Sequence, residues 1–314
     1  MADFPRSLSE FERRFGDEAA CAEYLAAARW PEGFVCPGCG GSKAWRLETA
    51  PWTYECARCG HQTSVTAGTI MHQSKLPLTT WFWAAYVMAT QPNGISAHQL
   101  QRELGLGSYK TAWLLCAKLR CTMVVPDRTP LSGLVEIDKT EIIWRSKNGV
   151  GAGDRRSYRR QMLIVGAVEV QDLRLGRIHL STVPDHSADS LHAFLAASLA
   201  LGATVRTDGR LGDCSALGID HDPQFFVVAA GHNGLHWIRR VFSDLEVWAL
   251  GVPHGLRRKH LQSYLDEFVF RFNSRRTRDA AFSALLGIAV AQPPVTYKML
   301  VSQGAAASAP GLPL

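Results

Sequence analysis

Four cysteines near the start of the sequence have the spacing of a metal site. They form two Cys-x-x-Cys pairs, Cys36 with Cys39 and Cys56 with Cys59, and a glycine follows each pair. Two such pairs typically hold a tetrahedral Zn²⁺ through four thiolates, and a closed site of this kind is structural rather than catalytic. We therefore predict a zinc ribbon, in which the metal stabilises a small β unit that lacks a core of its own.

Two aspartates lie at places where a carboxylate needs an explanation. Asp138 is inside the apolar run LVEIDKTEIIW, where a charge is costly unless it has a partner. Asp208 ends the run ATVRTD just before a glycine. Taken separately, Asp138 could be a solvent-facing residue of a strand and Asp208 a turn-forming residue. If the two strands are neighbours at the sheet centre, however, the two carboxylates could share a divalent cation.

A third acid could come from the segment VFSDLEVW, residues 241–248. Asp244 and Glu246 are two positions apart there, so on a helix they point in different directions. Three carboxylates would suit two Mg²⁺ ions, because Mg²⁺ prefers carboxylate and water oxygens. Two such ions activate a nucleophile and stabilise the leaving oxygen in phosphodiester chemistry. The residues alone leave open which of the two acids would serve.

The order of the predicted elements indicates how these acids would be positioned. Residues 134–144 are predicted to form a strand, 161–170 and 177–184 a hairpin, and 189–201 a helix. A strand at 203–213, a possible short strand at 225–231 and a helix at 232–251 follow. This order is that of an RNase H-like α/β fold with a mixed sheet.

The first part of the chain is predicted to be mostly helical around the ribbon. Short helices are expected within 7–30, and three more within 77–125, where Ser96 and Ser108 are candidate helix caps. The last two resemble a helix-turn-helix pair, with Lys110 and Lys118 as candidate DNA contacts. We predict segments 1–70 (helices and ribbon), 71–130 (helical DNA-binding domain), 131–280 (catalytic domain) and 281–314 (C-terminal helix and tail).

The charge distribution favours a polyanionic partner. The net charge is +6, and residues 139–160 and 257–278 each carry seven Lys or Arg against two acids. Such blocks are typical of nucleic-acid binding, although each could also be a solvated surface. No apolar run reaches the ~18 residues of a membrane helix, and the N-terminus lacks the apolar core of a signal peptide. We expect no membrane partner and a bacterial cytoplasmic, nucleoid-associated location.

Five segments of the chain match one family both in their sequences and in their order along the chain. They are RWPEGFVCPGCG, YECARCGHQTSVTAGTIMHQSKLPLTTWFWAAYVMA, VEIDKTEI, VRTDG and HGLRRKHLQSYLDEFVFRFNSRR. Together they resemble the bacterial insertion-sequence transposases that carry an N-terminal zinc ribbon and an ISXO-like DDE transposase domain. The resemblance covers nearly the whole chain, so it is more specific than any single motif.

The resemblance implies a DNA transposase with a structural Zn²⁺ and two catalytic Mg²⁺ or Mn²⁺ ions. Its partners would be the terminal inverted repeats, the target DNA and further copies of the chain in a synaptic complex. Asp138 matches the first catalytic aspartate and Asp208 the second. Trp248 aligns Asp244 with the third position, where the subgroup has asparagine, and Glu246 with a lysine. Lys139 also differs from the acidic residue common there.

Two basic residues beyond this helix are further candidate DNA contacts. We expect Arg257 and Lys259 to contact phosphate, unless they lie on a solvated helix face. The leading hypothesis is a DDE transposase. The alternatives are a catalytically impaired or repurposed transposase that only binds DNA, and a zinc-ribbon nuclease that cleaves without joining.

Overall fold

The structure is a computed structural model that groups the chain into two compact units. It describes residue 5 and residues 7–91, 93–124, 129–144, 160–172, 174–208, 218–223, 235–250 and 258–302. The first unit comprises Met1–Met123 and Ser274–Val301, and the second comprises Val124–Asn273 and Ser302–Leu314. None of the described helices combines the length and the apolar character that a transmembrane segment requires.

Helices and strands alternate in blocks along the chain. The helices are α1 (Leu8–Phe15), α2 (Glu18–Arg29), α3 (Leu78–Thr90), α4 (Ala97–Glu103), α5 (Tyr109–Cys121), α6 (Ala188–Ser198), α7 (His236–Leu250), α8 (Leu261–Asn273), α9 (Arg278–Ala291) and α10 (Tyr297–Ser302). The strands are β1 (Ala44–Arg46), β2 (Thr53–Cys56), β3 (Gln62–Ser64), β4 (Leu134–Trp144), β5 (Arg160–Gln171), β6 (Arg174–Thr182), β7 (Thr204–Thr207) and β8 (Asp220–Pro223). A 3-10 helix (Arg258–His260) precedes α8.

Side-chain caps fix where several helices of the first unit begin. Ser96 accepts the backbone N–H of Gln99, and Ser108 accepts that of Thr111, so both predicted caps are confirmed. Helix α3 follows Pro77, which makes no side-chain cap. The Glu18 carboxylate caps it instead, because it accepts the N–H groups of Leu78 and Thr79.

An aromatic cluster forms part of the core of the first unit. Phe15 of α1 packs against Phe82 of α3, with ring centroids 5.0 Å apart, and against Phe282 of α9 at 5.6 Å. The ribbon strands β1, β2 and β3 form an antiparallel sheet in that order. Arg29 of α2 holds the end of this sheet by donating to the carbonyl oxygens of Ser64 and Val65.

A mixed five-stranded sheet organises the second unit. Its strand order is β6-β5-β4-β7-β8; β5 pairs antiparallel with β4 and β6, whereas β7 pairs parallel with β4 and β8. The predicted RNase H-like α/β fold with a mixed sheet is confirmed, and β4 and β7 are neighbours at its centre. The fifth strand is residues 220–223; the predicted strand at 225–231 lies outside the described residues.

The strands of this sheet point successive side chains to opposite faces, so each face carries an apolar cluster. Helices cover both of these faces. On one face Val135, Ile137 and Val205 pack with α6 residues such as Leu195. On the other face Ile142, Ile164 and Leu180 pack with the apolar stripes of α7 and α8. Residues 136, 138 and 140 of β4 therefore face α7.

A buried ion pair holds the segment that leads into β4. The Glu169 carboxylate, with 1% of its side chain exposed, binds the Arg177 guanidinium, with one contact of 2.9 Å between Oε2 and Nε. Arg177 also donates to the carbonyl oxygens of Thr129 and Pro130, and Glu169 accepts the Ser132 N–H. This network attaches residues 129–132 to the β5–β6 hairpin.

Candidate metal centres

The two cysteine pairs fold into matching knuckles. In each, the glycine after the second cysteine donates its N–H to the carbonyl of the first cysteine at 2.9 Å. Those glycines, Gly40 and Gly60, have φ values of 70° and 68°, a conformation that favours glycine. The two turns have the same backbone geometry, which explains why each Cys-x-x-Cys pair is followed by a glycine.

The knuckles bring the four thiols together. All four sulfur atoms lie within 4.8 Å of one another, and Cys36–Cys59 and Cys39–Cys56 are each separated by 3.6 Å between sulfurs. Four thiolates at ~2.3 Å from a tetrahedral zinc would be ~3.8 Å apart. The cluster therefore fits Zn²⁺ with little rearrangement.

The knuckle backbone also prepares a thiolate. The N–H of Arg58 helps to lower the pKa of the Cys56 thiol to about 7, because it stabilises the negative sulfur. At Cys59 the His61 N–H lowers the pKa, but the neighbouring thiols and burial outweigh it and raise the value to about 12, so the four sulfurs share their protons. Zinc binds the thiolate form and would displace those protons. Both the donor set and its surroundings suit a structural zinc.

The acidic pair is positioned by the register between β4 and β7. Leu134, Val135 and Glu136 pair in parallel with Thr204, Val205 and Arg206. Continuing this register by two residues brings Asp138 level with Asp208, which directly follows β7. Paired strands are ~4.8 Å apart, so the ladder that ends at Glu136 and Arg206 leads the two aspartates onto neighbouring stretches of chain.

The two carboxylates also share a face of the sheet. Val135 and Val205 both belong to the cluster under α6, so their neighbours Glu136 and Arg206 point to the α7 face. Burial raises the pKa of Glu136, and the positive charge of Arg206, its partner in the β4–β7 ladder, opposes that rise. Two residues further on, Asp138 and Asp208 face the same side.

Asp138 has two identified contacts. Its Oδ1 accepts the backbone N–H of Lys139 at 2.8 Å, and its Oδ2 lies 3.8 Å from Nε of Arg239 on α7. Only 20% of the Asp138 side chain is exposed, compared with 48% for Arg239. The arginine therefore lies at Oδ2, whereas the Lys139 N–H binds Oδ1.

Glu136 anchors the helix that carries Arg239. Its buried Oε2 accepts the N–H groups of Trp237 and Ile238, at 2.7 and 3.0 Å, in the first turn of α7. Burial raises the pKa of Glu136, and these two hydrogen bonds oppose the rise. Sequence reasoning missed Glu136 and Arg239, although the alternation in VEID could have placed Glu136 beside Asp138.

Helix α7 presents Arg239 and Asp244 on different sides. At about 100° per residue, Asp244 lies about 140° around the helix from Arg239, whereas Glu246 lies within about 20° of it. Asp244 pairs with Arg240, one turn earlier, at 3.4 Å between Oδ1 and Nε. Glu246 is thus the acid on the side of α7 that contacts Asp138.

The packing around Asp244 also indicates that it lies on a different side of α7 from Arg239. Trp248, one turn after Asp244, packs against Tyr264 and Phe268 of α8, and α8 lies against β6. Strands β6 and β7 are on opposite sides of β4, so this side of α7 is turned away from Asp208. That Asp244 joins Asp138 and Asp208 as the third ligand stays a prediction, with Glu246 as the alternative on the Arg239 side of α7.

The chemistry of the Asp138–Asp208 pair suits a hard divalent cation. Mg²⁺ is commonly bound by one or two carboxylates, with waters and substrate phosphates completing its shell. Two level carboxylates on one face match that donor set. The Arg239 guanidinium beside Asp138, in contrast, does not suit a divalent cation.

The candidate DNA contacts differ in their surroundings. Lys110 is exposed near the start of α5, with its Nζ 4.5 Å from the centre of the Tyr297 ring. Lys118 instead donates to the Ile70 carbonyl at 3.0 Å, and burial lowers its pKa. Lys259 is exposed in the 3-10 helix, and Arg257 lies outside the described residues.

Comparison with known proteins identifies two regions. Residues 130–273 match the ISXO2-like transposase domain, and residues 16–62 match the transposase zinc-ribbon domain. A Halobacterium salinarum protein described as an uncharacterized protein in transposable element ISH50 is 27% identical over 209 residues. That match covers 63% of this chain and 69% of the relative.

Proposed function

Because the chain joins a transposase zinc-ribbon domain to an ISXO2-like transposase domain, we propose that it is the DNA transposase of an insertion sequence. It binds the terminal inverted repeats of its element, cleaves DNA strands there and joins them to target DNA. Copies of the chain assemble on the two ends in a synaptic complex.

The Asp138–Asp208 pair is the observation that supports cleavage. The parallel β4–β7 register pairs Glu136 with Arg206, and its continuation by two residues supports a level position of the two aspartates on one face of the sheet. This is the arrangement that a shared Mg²⁺ or Mn²⁺ requires, since both ligands must reach the ion at once. A cysteine site could not replace it, because hard cations prefer oxygen ligands.

Each part of the site has a separate task in this proposal. Asp138 and Asp208 hold the divalent ions, and Glu136 fixes the start of α7 over them. When bound, two such ions activate water or a 3′-hydroxyl and stabilise the leaving oxygen. Glu246 lies on the Arg239 side of α7, so it is the acid of that helix in the better position to assist Asp138 and Asp208 in holding the ions.

The first unit carries the proposed recognition of the element ends. The zinc ribbon presents Arg46, whose guanidinium stacks on the Trp52 ring at 4.0 Å, and exposed Trp45 beside it. Exposed Lys110 lies at the start of α5, the second helix of the helix-turn-helix-like pair, where such motifs contact DNA. Lys259 and Arg257, which belong to the second unit, would contribute phosphate contacts there. Lys118 is the weaker candidate, since its ammonium already donates to the Ile70 carbonyl.

A second candidate function is a DNA-binding protein that recognises element ends without cutting them. The contact between Arg239 and Asp138 favours it, because a guanidinium at a catalytic carboxylate opposes a divalent cation. The charge of Asp244 is shared with Arg240, its ion-pair partner one turn earlier.

A cleavage assay distinguishes the two functions. Purified protein is incubated with Mg²⁺ or Mn²⁺ and a duplex that contains the inverted repeat flanking its gene, and nicked and joined products are separated. If the protein is a transposase, the wild type should give both nicked and joined DNA, and Asp138→Ala should give neither. Asp189→Asn, an exposed change at the start of α6, should behave as wild type. Binding without metal-dependent cleavage would establish the second function.

A further inference from the structure

Arg239 is placed where it can control access to Asp138. It lies on the α7 side that faces the carboxylate, and the distance between its Nε and Oδ2 is 3.8 Å. The other carboxylate oxygen is already bonded to the Lys139 N–H. A metal ion approaching Asp138 would therefore meet the guanidinium at the remaining oxygen.

A guanidinium and a divalent cation cannot use this oxygen independently. Both are attracted to the same lone pairs, and their positive charges repel each other. We propose that Arg239 competes with the divalent cation for Asp138 and thereby weakens metal binding by the DNA-free protein. This inference rests on the proposed function, because it assumes that Asp138 and Asp208 form the divalent-ion site.

The structure allows Arg239 to leave Asp138 without disturbing the helix. Glu136 holds the first turn of α7 through two backbone hydrogen bonds that do not involve the Arg239 side chain. Ile238, Val241, Phe242 and Leu245 pack α7 on the sheet by a different side of the helix. The guanidinium is half-exposed, so it can reorient while the backbone of α7 stays in place.

A DNA phosphate is the partner that the displaced guanidinium would take. Arginine binds phosphate in a bidentate way, and a DNA strand cleaved at Asp138 and Asp208 would bring its phosphates to this site. Transfer of Arg239 from Asp138 to phosphate would release the carboxylate for the metal. Metal and DNA binding would then strengthen each other, and by linkage the effect must be reciprocal.

Calorimetric titration of the zinc-loaded full chain with Mn²⁺ tests this competition. Arg239→Gln removes the charge and keeps a good helix former, so it should bind Mn²⁺ about three- to tenfold more tightly than wild type. Arg239→Lys keeps the charge and should stay closer to wild type. Arg240→Gln removes the neighbouring charge, which pairs with Asp244, and should leave the affinity within about twofold. An affinity of Arg239→Gln equal to or weaker than that of wild type would overturn the inference.

Repeating the titration with a duplex tests the change of partner. The duplex should tighten Mn²⁺ binding by the wild type more than binding by Arg239→Gln, whose carboxylate is already released. Equal tightening in both proteins contradicts a transfer of Arg239 to phosphate. Unchanged circular dichroism and melting temperature confirm that each variant is folded.

Asp138→Ala separates this inference from the function on which it rests. If Asp138→Ala loses Mn²⁺ binding while Arg239→Gln resembles wild type, the metal site stands and the competition is rejected. If Asp138→Ala binds Mn²⁺ as well as wild type does, the proposed metal site itself is rejected, and the competition with it.

Discussion

Glu136 accepts the backbone N–H of Trp237 at 2.7 Å, so a buried acid of β4 fixes the first turn of α7. The same oxygen accepts the Ile238 N–H, which leaves both donors satisfied. Because Asp138 lies two residues further along β4, one strand carries both the metal-ligand candidate and the anchor of the helix above it.

Glu136→Ala should destabilise the second unit. The change leaves two buried N–H donors without their acceptor, which costs about 2 kcal/mol of unfolding free energy. Urea unfolding followed by tryptophan fluorescence would measure it, since Trp237 adjoins the anchor. Glu141→Ala, at a more exposed position on the same strand, is the control and should cost less than about 0.5 kcal/mol. Equal losses for the two variants would remove the special role of Glu136.

Arg177→Leu should destabilise the protein in a pH-dependent way. Burial raises the pKa of Glu169, but the hydrogen bonds from Arg177 and Ser132 outweigh it and hold the pKa below its ordinary value of 4.5. A depressed pKa in the folded state gives stability that is present above pH 4.5 and is lost as the pH falls through the folded value.

The cost of Arg177→Leu is therefore expected to be about 2 kcal/mol at pH 7, since it strands a buried carboxylate. It should shrink as the pH falls, because the unpaired buried Glu169 of the variant takes up a proton first, and it should vanish below the depressed pKa of the wild type, where Glu169 is protonated in both proteins. Denaturant unfolding at pH 7 and at pH 3.5 measures the difference. A cost that is the same at both pH values would show that the ion pair is not its source.

Loss of one cluster cysteine should release the zinc. Cys59→Ser leaves three thiolates, and a closed structural site needs four ligands. Zinc content by atomic absorption should fall from one ion per chain to well below half, and binding to end-containing DNA should fall with it. Cys121→Ser, on α5 and outside the cluster, should keep its zinc. Full zinc content in Cys59→Ser would exclude a four-thiolate site.

The two acids of α7 should respond differently to truncation. Asp244→Ala should leave cleavage within about threefold of wild type, because Asp244 pairs with Arg240 on the side turned toward α8. Glu246→Ala should lower cleavage by more than tenfold, since Glu246 shares the Arg239 side of the helix. Metal-dependent nicking rates measure both, and loss of activity only in Asp244→Ala would restore the assignment made from sequence.

The zinc ribbon and the central acidic pair could be predicted because their positions follow from local rules. Two Cys-x-x-Cys-Gly turns determine the sulfur cluster by backbone geometry alone. The order of strands and helices implies that β4 and β7 are neighbours, and residue alternation then places Asp138 and Asp208 on one face. Both predictions needed only periodicity and topology.

The third position on α7 could not be predicted in the same way. The apolar stripe of α7 shows which side is buried, but not which flank faces β7 and which faces α8. That choice depends on how the helix lies across the sheet, which the Glu136 anchor and the packing of Trp248 determine. Likewise, a lysine on a helix gives no local sign that it turns inward, as Lys118 does toward Ile70.

The cooperation of Asp138 and Asp208 is tested most directly by the metal-dependent nicking rate of end-containing DNA. The rate is compared among wild type, Asp138→Ala, Asp208→Ala and the double variant. Two residues that hold the same ions act as a unit, so each single variant should lose at least about a thousandfold, and the double variant should be no slower than either. An Asp208→Ala protein that nicks as fast as wild type, or losses that multiply in the double variant, would contradict a shared site.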